Sequence, residues 1–229
     1  MRLRGIQKLT LLDFPGKVAC TVFTAGCNFR CPFCHNASLV TNSDVANDDL
    51  STDDFFAFLR SRQGRLDGVC VSGGEPLLQP DIRNFIRRIR ELGFLIKLDT
   101  NGSYPDVLES LLQDGLIDYV AMDIKSSPDH YAEATGLHEA PVDRISKSIK
   151  LLLHSSVPFE FRTTVVNELH TTEDFTHIGE WISGAPRYYL QEFADSGDVL
   201  RPGCHAMNRE QMQKAARTME DFVPDVTIR

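Results

Sequence analysis

Six times along this chain a short apolar run gives way to a longer segment whose apolar residues recur at helical spacing, and that alternation limits the possible folds most. The runs are residues 17–25, 67–73, 94–102, 117–125, 158–166 and 187–194. The helical segments are 51–62, 80–92, 104–114, 142–155, 172–182 and 208–222, with Ser51 or Thr52 placed to cap the first. Apolar strands joined by helices of this length require right-handed crossovers and a parallel sheet. No G-x-G-x-x-G fingerprint accompanies them, which favours an open barrel over a doubly wound sheet. The expectation is a single α/β domain over residues 1–229, a partial (β/α)6 TIM-like barrel. An extra N-terminal strand is expected near Gly5–Leu12, with a turn at "DFPG".

The unusual residues fall where these strands end. Three cysteines follow the first strand, "SGGEP" (72–76) the second, and "DTNG" (99–102) the third. "DIKS" (123–126) ends the fourth strand, "RTT" (162–164) lies on the fifth, and "QEF" (191–193) lies near the end of the sixth. In parallel α/β folds these C-terminal strand ends line one rim, where active sites form.

The net charge of −8 argues against a phosphate-backbone partner, so no nucleic acid is expected. Arg83, Arg87, Arg88 and Arg90 share a helix with Ile82, Phe85, Ile86 and Ile89, so the arginines read as its outer face. No apolar run approaches the roughly 20 residues of a membrane helix, and the N-terminus has no signal-peptide pattern. A cytoplasmic protein without a membrane partner is expected.

Six cysteines in such a chain point to metal or redox chemistry rather than disulfides. Cys20 and Cys70 sit in strand-like runs and read as small buried hydrophobes; Cys204, in "RPGCHAM", reads as a loop cysteine. His170, His177 and His205 lack any motif and read as surface residues. Cys27, Cys31 and Cys34, spaced C-x3-C-x2-C, can hold three corners of a [4Fe–4S] cluster and leave the fourth iron open. A Cys3His zinc site through His35 is one alternative, although adjacent residues rarely reach one tetrahedral metal and a second cysteine pair is lacking. A four-cysteine electron-transfer ferredoxin is another, and it would need a nearer fourth thiol than Cys204.

The cysteine spacing, with Phe33 just before the last thiol, resembles the signature of radical S-adenosylmethionine (SAM) enzymes. Cys34-His35-Asn36, "SGGEP", "DTNG" and "DIK" resemble the glycyl-radical-enzyme activases of that superfamily. The stretch "LLDFPGKVACTVFTAGCNFRCPFCHN" is most similar to activating proteins of anaerobic ribonucleoside-triphosphate reductase, with pyruvate formate-lyase activases the near neighbours. The resemblance implies a barrel of the radical SAM type. It implies a cluster on Cys27, Cys31 and Cys34, without His35, that cleaves SAM to a 5′-deoxyadenosyl radical and takes hydrogen from a partner's glycine. It implies SAM contacts from Phe33, Cys34, His35, Asn36, Gly73, Gly74, Glu75, Asp99, Asp123, Lys125, Arg162 and Gln191. Phe33 would meet the adenine, Gly73 and Gly74 would let backbone approach the amino end of SAM, and Glu75 would support them. Asp99, Asp123 and Lys125 suit a zwitterion, or a monovalent cation beside it; salt-bridging among themselves is the structural alternative. Arg162 would face the carboxylate or ribose, or else serve a barrel ion pair. A low-potential donor such as flavodoxin or ferredoxin is implied as the electron source.

Overall fold

The computed structural model describes residues 1–40, 50–195 and 197–229. Eight strands form one sheet in sequential order: β1 (Leu3–Thr10), β2 (Ala19–Thr24), β3 (Gly68–Gly73), β4 (Leu95–Thr100), β5 (Tyr119–Asp123), β6 (Phe159–Val165), β7 (Tyr188–Glu192) and β8 (Val226–Ile228). β1 runs antiparallel to β2, and every later neighbour pairs in parallel. β1 and β8 are the edges, and no ladder among the described residues joins them, so the barrel is partial and open.

The helices are α1 (Ala37–Val40), α2 (Thr52–Arg62), α3 (Ile82–Glu91), α4 (Pro105–Gln113), α5 (Tyr131–Thr135), α6 (Val142–Leu153), α7 (Thr172–Trp181) and α8 (Arg209–Glu220). Their starts follow local chemistry. The Ser51 hydroxyl accepts from Asp54 N at 3.0 Å, and capping boxes open α7 (Thr171 with Asp174) and α8 (Asn208 with Gln211). α3 buries Ile82, Phe85, Ile86 and Ile89 and turns its arginines outward, as the spacing requires. Arg88 lies over the Phe56 ring, 3.8 Å from its centroid, and Arg90 bonds Asp118 at 2.6 Å. None of the helices among the described residues is long and apolar enough to cross a membrane.

All six expected strand–helix pairs are present. β1 begins two residues before the expected Gly5, and β8 is an addition, too short to signal itself in sequence. α5 was also unforeseen; five residues long, it ends at Gly136, whose φ of 65° stops it.

Side chains alternate across each strand, and the parallel register stacks the inward ones in rows. Cys70, Lys97 and Tyr119 share one row. Asp99, Ala121 and Glu160 lie above it, with Asp123, Arg162 and Tyr189 above them. The outward residues are apolar and packed under the helices, whereas the inward rows carry charge towards the rim.

Candidate active site

The segment after β2 is held on two sides, and this fixes where its thiols stand. Phe29 is buried edge-on against Tyr131 of α5, ring centroids 6.4 Å apart, and Arg30 N donates to Thr135 O at 2.8 Å. On the other side Leu200 N donates to Cys34 O (3.1 Å) and Arg201 N to Pro32 O (3.0 Å). Cys27, Cys31 and Cys34 thereby line one cavity at the strand ends. Cys204 does not line it, and Cys20 and Cys70 are fully buried elsewhere in the strands.

Burial pushes the Cys27 thiol up to about 11 and Cys31 up to about 12, against a downward pull from the Phe29 N–H on Cys27 and from Lys125 on both. A thiolate at either position therefore calls for a cationic partner. No three Cys, His, Asp or Glu side chains among the described residues are gathered so as to hold a single metal ion. Three thiols spread around one cavity fit a cluster better than a mononuclear centre.

Backbone pairing joins "SGGEP" to the start of the cysteine segment: Gly74 N donates to Thr24 O (3.0 Å) and Glu75 N to Gly26 O (2.8 Å). A Cβ on Gly74 would lie 2.1 Å from Gly26 O, and one on Gly73 2.3 Å from Thr24 N. Both glycines border the cavity, but what demands glycine here is the neighbouring chain.

Glu75 differs from its expected place. It is fully buried and does not line the cavity. Its carboxylate accepts from Leu77 N (3.0 Å), Thr100 Oγ1 (2.8 Å) and Asn101 N (2.7 Å), tying the ends of β3 and β4 together from below. Burial raises its pKa from 4.5 to about 7. Between those values the unfolded chain has released a proton that the folded chain keeps, so this group's contribution makes stability fall as pH rises, by up to about 3 kcal/mol. Glu75→Gln cannot titrate and leaves Asn101 N without its acceptor. In urea unfolding, the stability of the unmodified protein minus that of Glu75→Gln should shrink between pH 5 and pH 8. A difference that stays constant would count against a raised Glu75.

Asp99, Asp123, Lys125 and Arg162 border the same cavity and pair with one another, together with Lys97. Lys97 bonds Asp99, and Arg162 reaches Asp99 at 3.3 Å and bonds Asp123, which Lys125 holds at 2.9 Å. Burial disfavours every one of these charges, yet the mutual pairing prevails: both carboxylates lie below their ordinary range and Lys125 and Arg162 above theirs. The salt-bridged alternative is thus what these side chains form.

Phe33 is buried at the cavity wall; His35 stacks on Phe193 at 6.1 Å and 16°, with Asn36 beside it. Gln191 completes the border opposite, paired in register with Thr164. His170 is a correction: it is buried, not a surface residue, and its Nε2 lies 2.9 Å from Lys125 O, bracing the strand end that carries Lys125. His205 is exposed and His177 partly so.

Sequence reasoning missed Lys97 and Asn101. Lys97 had a signal: a lysine two residues before Asp99 on a strand must share its face. Asn101 lay within the "DTNG" motif; its Nδ2 donates to Asn28 Oδ1 at 3.0 Å and lies 3.8 Å from Cys27 Sγ.

The sequence profile of the radical SAM superfamily matches residues 21–182. A Methanocaldococcus jannaschii protein provisionally named a glycyl-radical enzyme activating enzyme is 31% identical over 98% of this chain and 94% of its own. The pyruvate formate-lyase-activating enzyme of Clostridium pasteurianum is 30% identical over 65% of this chain and 63% of its own. Among solved structures, Streptococcus suis SuiB bound to S-adenosylmethionine shares the fold with a TM-score of 0.69 at 16% identity. That match covers 90% of this chain, which spans about half of SuiB (48%). With a near full-length relative matched and the thiols brought to one cavity, the chain belongs to the radical SAM superfamily and, within it, to the glycyl-radical-enzyme activating enzymes.

Proposed function

We propose that this protein activates anaerobic ribonucleoside-triphosphate reductase by taking a hydrogen atom from a glycine of that enzyme. The observation that carries the chemistry is the single cavity shared by Cys27, Cys31, Cys34 and the Asp99–Arg162–Asp123–Lys125 chain. The chemistry supplied by a [4Fe–4S] cluster and SAM bound there is one-electron cleavage of the sulfonium bond, giving the radical that takes the hydrogen. Cys27, Cys31 and Cys34 would hold three irons, with His35 left to its stack on Phe193. Lys125 and Arg162, oriented by Asp123 and Asp99, would receive the SAM carboxylate. Phe33, His35 and Asn36 would flank the adenosine, and Gln191 would make a polar contact from the far side. Gly73 and Gly74 would present backbone to the amino end of SAM, with Glu75 holding them from beneath rather than touching the ligand. A monovalent cation beside Asp99 and Asp123 is no part of this reading, because both carboxylates already have cationic partners.

With no ladder among the described residues joining β1 to β8, a partner's loop would enter at that open side of the sheet, and the partner would exclude water from the radical. The reductase is favoured by the "LLDFPGKVACTVFTAGCNFRCPFCHN" stretch. A second reading, activation of pyruvate formate-lyase, is favoured by the 30% identity to the Clostridium enzyme. A low-potential flavodoxin or ferredoxin would supply the electron. The test is to mix the protein anaerobically with the reductase, SAM and reductant and record the electron paramagnetic resonance spectrum. A doublet should form on the reductase and vanish when its radical glycine is replaced by alanine. A doublet on pyruvate formate-lyase alone would keep the chemistry and overturn the choice of partner.

A further inference from the structure

Lys97 is the feature of the barrel interior that the reaction does not obviously require. It lies on β4, only 2% exposed, in the row below Asp99 and away from the cavity border. Its ammonium bonds Asp99, and its other polar neighbour is the Cys70 sulfur at 3.9 Å. Burying an ammonium inside a domain is costly unless something is gained. Neutralising Asp99 is not a sufficient reason, since Arg162 already reaches that carboxylate at 3.3 Å.

The charge count supplies the reason. Lys97, Arg162 and Lys125 carry three positive charges, and Asp99 and Asp123 carry two negative ones, so the connected set is +1 (3 − 2). Without Lys97 the same set would be neutral (2 − 2), and Arg162 and Lys125 would be fully committed to the two aspartates. We propose that Lys97 is a positioning residue for ligand selectivity: by holding Asp99 from below, it leaves Arg162 and Lys125 a surplus positive charge for the carboxylate of an α-amino acid ligand. Lys97 thereby does from within the protein what an added monovalent cation would otherwise do. The inference rests on the reading of this cavity as the SAM site. One unit charge at about 9 Å, in surroundings of effective dielectric about 20, corresponds to at least tenfold in affinity.

The test uses the cluster-loaded protein and two ligands that differ only in the carboxylate, SAM and decarboxylated SAM. Dissociation constants are measured anaerobically by calorimetry for the unmodified protein, Lys97→Met and the charge-retaining Lys97→Arg. In Lys97→Met the preference for SAM over decarboxylated SAM should fall about tenfold. Lys97→Arg keeps the set at +1 and should hold that preference to within about threefold of the unmodified protein. Replacing potassium by choline at fixed ionic strength should leave SAM binding to the unmodified protein unaltered. Equal loss for both ligands would assign Lys97 a merely structural role, and undiminished SAM affinity in Lys97→Met, or dependence on potassium, would also overturn the inference. Should Lys97→Met fail to fold, Lys97→Gln takes its place with the same expected tenfold fall, and an unchanged preference there overturns the inference. If the unmodified protein binds no SAM, the reading of the cavity falls and this inference with it; the other contrary outcomes remove the inference only.

Discussion

Cys27→Ala, Cys31→Ala and Cys34→Ala should each yield a colourless protein that holds no stable cluster after anaerobic reconstitution and cleaves no SAM. The unmodified protein should be brown, with about four iron and four sulfide per chain. The loss should be complete because no neighbouring donor can substitute. Cys204 does not line the cavity, and Cys20 and Cys70 are buried in the strands. Cys204→Ala and His35→Ala should therefore keep full iron content. Iron and sulfide analysis with the visible absorption spectrum measures this directly. Retention of the cluster in Cys31→Ala, or its disappearance in Cys204→Ala, would require a different ligand set.

The frame of the molecule was legible in sequence because it rests on periodicity. Strands buried on both faces read as continuous apolar runs, and helices such as Ile82–Glu91 declare a 3.6-residue stripe. From that alternation alone the strand ends, and with them the cysteines, the glycines and the charged residues, could be assigned to one rim. What could not be read was which polar groups answer which. Asp99, Asp123, Lys125 and Arg162 were each found, but their pairing depends on the register of β4, β5 and β6, which no local pattern encodes. Glu75 was rightly read as a support for the two glycines, but its place among the SAM contacts could not be judged for the same reason. Its three donors, Leu77 N, Thr100 Oγ1 and Asn101 N, come largely from another strand end, and they draw the carboxylate beneath the rim instead of into the cavity. His170 shows the limit of arguing from missing motifs: a histidine without one can still be buried, bonded to the backbone of Lys125.

Gly74→Ala should lower the melting temperature of the cluster-free protein by about 6–12 °C, before any ligand is considered. The added Cβ would sit 2.1 Å from Gly26 O and 2.6 Å from Gly26 C, and backbone atoms cannot swing aside as a side-chain tip can. Relief would require parting two hydrogen bonds, Gly74 N to Thr24 O and Glu75 N to Gly26 O, which join this loop to the cysteine segment. Overpacking of this kind costs about 3 kcal/mol or more, and in a chain of this size each kcal/mol corresponds to about 2–4 °C. Gly73→Ala should behave alike, since Gly73 adds a φ of 132° to a contact of 2.3 Å with Thr24 N. Gly5→Ala is the control: nothing lies within 4 Å of its added Cβ, and its melting temperature should match that of the unmodified protein. Calorimetry on the apoprotein separates two reasons for keeping glycine at position 74. If the close approach serves chain packing, the apoprotein loses stability; if it serves only the ligand, the apoprotein melts normally and SAM binding alone suffers. Because Gly26 directly precedes Cys27, the same displacement would shift the first thiol away from the other two, so reconstitution of Gly74→Ala should also return less than the full iron content.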